Sequence, residues 1–192
     1  MWNFIAALLV ILIAVTPGSV RAGERAGAVT LSPFMGGYTF DGAENLETRP
    51  EFGLRLGYNF IKKFDLEGTF SYVSTRFTNL IPGTVDVFNY RLEGVYNFMP
   101  ERSLVPYLAI GAGGARINMP FNVDISHPHN NSPTANVGSG IKWYLYKAVA
   151  IRADYHQDIL INTSAANNKV HNSLVTYEYS LGLQILFGGT KE

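Results

Sequence analysis

The sequence predicts an all-β fold, specifically an eight-stranded antiparallel up-and-down transmembrane β-barrel. Three observations predict it. Segments of alternating apolar and polar residues recur along the chain, and no long stretch after residue 23 shows a helical period. The connections between these segments alternate between long and short. The apolar face carries more large aromatic residues than an eight-stranded interior can hold, because such an interior is just wide enough for side chains to fill.

The strands follow in order. The first, about 29–40, is read with Phe34, Tyr38 and Phe40 on the apolar face. In 52–60, Phe52, Leu54, Leu56, Tyr58 and Phe60 alternate with Gly53, Arg55, Gly57 and Asn59. In 66–72, Leu66, Phe70 and Tyr72 oppose Glu67, Thr69 and Ser71. In 88–98, Phe88, Tyr90, Leu92, Tyr96 and Phe98 oppose Asn89, Arg91, Glu93 and Asn97. The stretch 107–115 is Gly-rich and its phase stays open. Residues 141–145 set Ile141, Trp143 and Leu145 against Lys142, and 149–156 set Val149, Ile151, Ala153 and Tyr155 against Arg152, Asp154 and His156. The last strand places Tyr177, Tyr179, Leu181, Leu183, Ile185 and Phe187 opposite Glu178, Ser180, Gly182 and Gln184. The connections are then about 41–50, 61–64, 75–84, 99–104, 118–134, 146–148 and 158–175. Short turns on one side and long polar loops on the other mark a membrane barrel, and a soluble sandwich has no reason to sort its loops this way.

Composition agrees. The chain has 192 residues, zero formal net charge, no cysteine, 12 Phe, 11 Tyr and 19 Gly. Zero net charge leaves no basic footprint for nucleic acid. Without cysteine there are no disulfides, thiolate metal sites or Cys nucleophiles. Residues 4–15 form an apolar run too short to span a bilayer as a helix. Pro17 and Gly18 follow, with Val20 and Ala22 at the −3 and −1 positions of a cleavage site. Residues 1–22 are therefore read as a signal peptide and 23–192 as the barrel domain. The first three residues, Met-Trp-Asn, carry no positive charge, and the alternative is an uncleaved anchor.

The faces can now be assigned. Aromatic residues near strand ends (Tyr58, Phe60, Phe98, Trp143, Tyr155, Phe187) suit the girdle of a lipid-facing wall. The other face mixes charge with Gly, Ser, Thr and Asn, as a crowded lumen requires. Its charges balance on this reading, with Arg55, Arg91, Lys142 and Arg152 against Glu67, Glu93, Asp154 and Glu178, and buried charge needs pairing. Closure follows because an open sheet edge in lipid leaves backbone groups unsatisfied. The alternative is a soluble barrel with a solvated charged face. The last strand carries Ser180, Gly182, Ile185 and Phe187 in the spacing polar-x-Gly-x-x-apolar-x-aromatic, which matches the C-terminal signal read by the barrel-assembly machinery.

The segments LSPFMGGYTFDG, GLRLGYNF, RLEGVYNF, LVPYLAIGAGG, GIKWYL, AIRADY and LGLQILFGG resemble strands and turns of the OmpA-type eight-stranded outer-membrane β-barrel family. The resemblance spans about residues 27–189. The Arg152-x-Asp154 pair is similar to that family's interior Arg-x-acid pattern. The resemblance implies periplasmic termini, a polar lumen blocked by salt bridges and location in the outer membrane. Many relatives continue into a peptidoglycan-binding domain; the expectation here is of the barrel domain alone, which puts tethering to the cell wall by that route in doubt.

Other constellations are weaker. His127 and His129, with Asp124 near, fall in the third long loop and His171 in the fourth. An external metal site is conceivable there, but a polar loop is the plainer reading. His156 with a barrel Ser and Glu would suit the triad of a lipid-modifying enzyme, yet no spacing marks a nucleophile. Gly111, Gly113 and Gly114 lack the Lys-Ser/Thr of a phosphate loop and are expected to bend a strand or make room for a bulky neighbour. The expected function is a structural or surface-interaction barrel without catalysis or cofactor. Its partners are outer-membrane lipid, the assembly machinery during insertion, and extracellular molecules met by loops 41–50, 75–84, 118–134 and 158–175. The alternative is a narrow porin-like channel for ions or small solutes.

Overall fold

Every predicted strand is present and pairs with its sequence neighbours. The computed structural model describes residues 23–39, 49–76, 84–118, 132–160 and 175–190. The strands are β1 Ala26–Thr39, β2 Arg49–Ile61, β3 Phe64–Arg76, β4 Thr84–Asn97, β5 Leu104–Asn118, β6 Ser132–Tyr146, β7 Val149–Leu160 and β8 Val175–Thr190. They form a closed antiparallel barrel in the order β1-β2-β3-β4-β5-β6-β7-β8. β1 closes on β8 with a register running from Ala26↔Thr190 to Thr39↔Tyr177. That ladder passes from Leu31↔Ile185 directly to Phe34↔Gly182, skipping Pro33, which has no N–H to donate. The signal-peptide reading and the tips of the four long loops fall outside the described residues.

The alternation reads directly in the burial. On β2, Phe52, Leu54, Leu56, Tyr58 and Phe60 are exposed while Glu51, Arg55 and Asn59 are buried. The same inversion holds on β4, where Tyr90, Leu92 and Tyr96 are exposed and Arg91, Glu93 and Asn97 buried. Ile110, at the middle of β5, is 71% exposed, whereas Arg55 and Arg152 are each 0% exposed. A water-soluble barrel would show the reverse. Aromatic residues gather at both rims of the wall. Tyr58, Phe60 and Phe64 pack in sequence near the short turns, with ring centroids at 5.0 and 6.3 Å. Phe70, Phe88 and Tyr72 on one flank and Tyr155, Tyr177 and Tyr179 on another do so near the long loops. From Phe52 to Phe60 the wall rises about 20 Å along the axis, given ~3.4 Å per residue and a tilt of about 40°.

β1 departs from the sequence reading. Phe34 and Tyr38 point into the lumen, at 6% and 2% exposure, and the outward residues are Val29, Pro33 and Met35. Phe40 lies outside the described residues. The reason is interior chemistry. The Phe34 ring lies 3.7 Å from the Arg55 guanidinium, and the Tyr38 hydroxyl hydrogen-bonds to Thr176 Oγ1 at 2.8 Å. The open phase of β5 resolves with Tyr107 and Ala109 inward and Leu108 and Ile110 outward.

Glycine makes the space for these interior rings. Any side chain at Gly138 would meet the His156 ring, and one at Gly140 would meet the Tyr107 ring. Gly111 and Gly113 instead sit tight against the β4 backbone beside Glu93 and Arg91, while Gly114 lies under the lipid-facing Tyr90 ring. At the short-turn end Ala28, Val105, Tyr144, Ala150 and Leu186 form an apolar layer beneath the charged interior.

Candidate functional site: the lumen charge network

The polar interior consists of three connected tiers. At the short-turn end, Lys142 on β6 donates to Glu24 Oε1 at 2.6 Å and to Asp65 Oδ2 at 3.0 Å. Asn59 donates to the other Glu24 oxygen at 2.6 Å, and Asn97 to Asp65 at 2.8 Å. Glu24 precedes β1 and is drawn across the barrel mouth by its own N–H, which donates to the Pro100 carbonyl at 2.7 Å.

In the middle tier two arginines from nearly opposite strands share acids. Arg152 on β7 forks onto Glu67 of β3, with both oxygens engaged and NH2–Oε1 at 2.9 Å. Its Nε donates to Asp154 Oδ1 at 2.7 Å and to the Tyr107 hydroxyl at 3.1 Å. Arg55 on β2 reaches Asp154 Oδ2 at 3.0 Å, Glu178 Oε1 at 2.7 Å and Ser180 Oγ at 2.8 Å. Asp154 thus bridges the two arginines. Aromatic faces cover the cations, with Phe34 against Arg55 and Tyr107 at 4.8 Å from Arg152. Such faces shield charge that has lost its water. Bidentate, charge-assisted contacts of this kind are the strong ones.

Toward the long loops, Arg91 on β4 pairs with Glu178 Oε2 at 2.6 Å and Glu93 at 3.2 Å, with Asp158 farther off at 3.6 Å. His156 lies between two acids, Nε2 to Glu93 Oε1 at 3.2 Å and Nδ1 to Glu178 Oε1 at 3.9 Å. Glu178 therefore links the middle and outer tiers. Above it Glu51 is fully buried, with the Ser71 hydroxyl as its hydrogen-bonding neighbour.

All eight predicted network residues (Arg55, Glu67, Arg91, Glu93, Lys142, Arg152, Asp154 and Glu178) are buried; seven are joined by shared ion pairs, and Lys142 meets them only through the Tyr107 ring, 5.3 Å away. The predicted balance of charge is corrected, however. Among the described residues four cations are buried with eight carboxylates, because Glu24, Glu51, Asp65 and Asp158 also point inward. The half-buried Arg25 and Arg49 stand at the two ends. The added acids sit near strand ends: Glu51 keeps phase with Arg55, Asp65 with Glu67, and Asp158 with Asp154. Extending each alternation by one or two pleats would have found all three. Glu24 had no such signal.

The other predicted residues are placed as follows. Ser180 is buried and bonded to Arg55, while Phe187 is 52% exposed on the lipid wall. Gly182 packs against Phe34, and Ile185 pairs with Leu31 across the β1–β8 seam. His156 is buried among acids in the lumen, away from the outer wall where a lipid ester would lie. His127, His129, His171 and Asp124 lie outside the described residues. Among the described residues no group of three or more His, Cys, Asp or Glu is arranged to hold a metal ion.

A closed antiparallel barrel with an apolar wall, two aromatic rims and a charged interior is the build of a bacterial outer-membrane β-barrel. The sequence matches the outer membrane protein β-barrel domain family over residues 5–185, and the chain belongs to that family. It is thus a protein of the outer membrane, and the resemblance carried by its strand segments holds.

Solved structures share the fold. Neisserial surface protein A superposes with a TM-score of 0.63 at 14% identity, covering 84% of this chain and 99% of that one. OprG of Pseudomonas aeruginosa gives 0.59 at 15% identity, covering 87% and 99%. The N-terminal barrel domain of OprF, also from Pseudomonas aeruginosa, gives 0.55 at 19% identity, covering 85% and 100%. At these identities the likeness is one of fold. A comparison with curated protein sequences finds no match.

Proposed function

We propose that this protein is a structural and surface-interaction barrel of the outer membrane whose lumen is held shut by its charge network and performs no chemistry. The observation that carries this reading is the three-tier network itself. Arg55, Arg91, Lys142 and Arg152 each bind at least two carboxylates inside the lumen, at least one of them on another strand or beyond the strand ends, and an apolar layer lies beneath them. Breaking such a buried pair strands a charge in a poor medium, so the closed arrangement is strongly favoured over an open one. The barrel then serves as a rigid stalk, and loops 41–50, 75–84, 118–134 and 158–175 meet extracellular molecules. Ser180, Gly182, Ile185 and Phe187 act as the signal read by the assembly machinery. Planar bilayer recording tests the reading: folded protein is expected to give no conductance steps, and regular steps would overturn it.

One observation favours a second reading, a narrow cation-selective path. Among the described residues buried carboxylates outnumber buried cations two to one, and Glu51 is one of them, fully buried toward the long-loop end. On this reading steps appear, cations carry them, and Glu51→Gln lowers the selectivity. A lipid-modifying role for His156 has less support, since its ring contacts Glu93 and Glu178 inside the lumen.

A further inference from the structure

The turns at the short-turn end carry exposed positive charge that the lumen network does not use. A cleft of about 370 Å³ opens between the β2–β3 and β4–β5 turns, lined by Lys62, Lys63, Met99, Pro100, Glu101 and Arg102. Three cations face a single carboxylate there. Glu101 reaches Lys62 at 3.3 Å and is itself 74% exposed, so this contact is a loose surface pair. Lys63 and Arg102 are exposed. The cleft has a fixed shape, because backbone bonds tie its walls together. Asn97 N–H donates to the Lys63 carbonyl at 2.9 Å, Arg102 N–H to the Met99 carbonyl at 3.1 Å, and Glu24 N–H to the Pro100 carbonyl at 2.7 Å.

The position of the cleft decides what fits it. Phe60, Ile61, Phe64, Phe98 and Met99, all exposed, continue the lipid-facing wall up to its lip. A molecule resting there has apolar chains along the wall and an anionic head at the cations. Short turns of outer-membrane barrels face the periplasm, so the adjoining leaflet is the phospholipid one.

We propose that this cleft binds the phosphodiester headgroup of an anionic phospholipid of the periplasmic leaflet, with Lys63 and Arg102 as its principal charge partners and Phe60, Phe64 and Met99 against its acyl chains. Free phosphate would satisfy the cations but not the apolar lip, which is why a lipid is the occupant. The site rests on family membership and barrel orientation, and it stands whether or not the lumen conducts.

The test uses the full chain folded into phosphatidylcholine vesicles containing one-fifth phosphatidylglycerol. The protein is extracted gently, and each bound lipid is counted by native mass spectrometry. Retention of phosphatidylglycerol over phosphatidylcholine is expected in the wild type, falling about fivefold for each cation lost in Lys63→Gln and Arg102→Gln. Arg116→Gln, at the opposite end of β5, is expected to leave the preference unchanged, and Glu101→Gln to raise it. A compact unboiled gel band confirms that each variant is folded. Equal retention of the two lipids, a preference indifferent to Lys63 and Arg102, or bound inorganic phosphate without lipid preference would overturn the proposal.

Discussion

Arg152 is held by Glu67 through both oxygens, by Asp154 and by the Tyr107 hydroxyl, at zero exposure. Arg152→Met is therefore expected to destabilise the folded barrel by about 3–5 kcal/mol, since Glu67 would stay buried with only the long 3.9 Å contact to Arg55. Adding Glu67→Gln should recover part of that loss, and urea unfolding from vesicles would measure both. Failure of the second change to recover anything would mean the pair is not the seat of the effect. Gly138 allows a separate test. Its missing side chain leaves the space the His156 ring occupies, so Gly138→Val should displace that ring and destabilise by about 1–3 kcal/mol. At this scale the sequence was only partly legible. Strict alternation placed the eight network residues inside. It misassigned Phe34 and Tyr38, because an aromatic ring reads as lipid-facing unless one knows that a buried guanidinium or hydroxyl partner waits within the lumen.

The strands as elements were far more legible, because period 2 is a property of the pleat itself and needs no knowledge of partners. Observed spans agree with the sequence reading to within a few residues except for β6, which starts at Ser132 where the alternation was read only from Ile141, and all seven connections fall in the expected long–short order. The missed acids Glu51, Asp65 and Asp158 arise at this scale. Each lies where an observed strand runs past its predicted end, so, Glu24 before β1 aside, the apparent balance of charge was an effect of truncated strands. The wall makes its own test. Ile110 and Leu92, at 71% and 56% exposure, face lipid near mid-strand. Arg at either position is expected to destabilise the barrel by about 2–4 kcal/mol in a bilayer, measured by reversible urea unfolding; a negligible change would place that wall in water. Phe187→Ala, at the end of β8, should lower the yield of inserted barrel in cells while leaving the unfolding midpoint of purified protein nearly unchanged. An equal loss in both would assign Phe187 to stability rather than to assembly.

At the scale of the whole molecule, closure makes the rest possible. β1 and β8 lie far apart in sequence and must meet before either has a complete set of backbone partners, and lipid tolerates no open edge. Closure also removes the lumen charges from water together, which couples the network to the wall: the polar face is stable inside only if the apolar face is outside. Nothing in strand alternation bears on the molecules the protein meets at the surface. The central claim is that the faces are inverted relative to a soluble barrel. The most direct measurement is the mobility of the membrane-fraction protein on a detergent gel, boiled against unboiled. The account predicts a compact, faster unboiled band that converts to the full-length position on heating. A protein recovered in the soluble fraction, with one band regardless of heating, would contradict it and turn the barrel inside out.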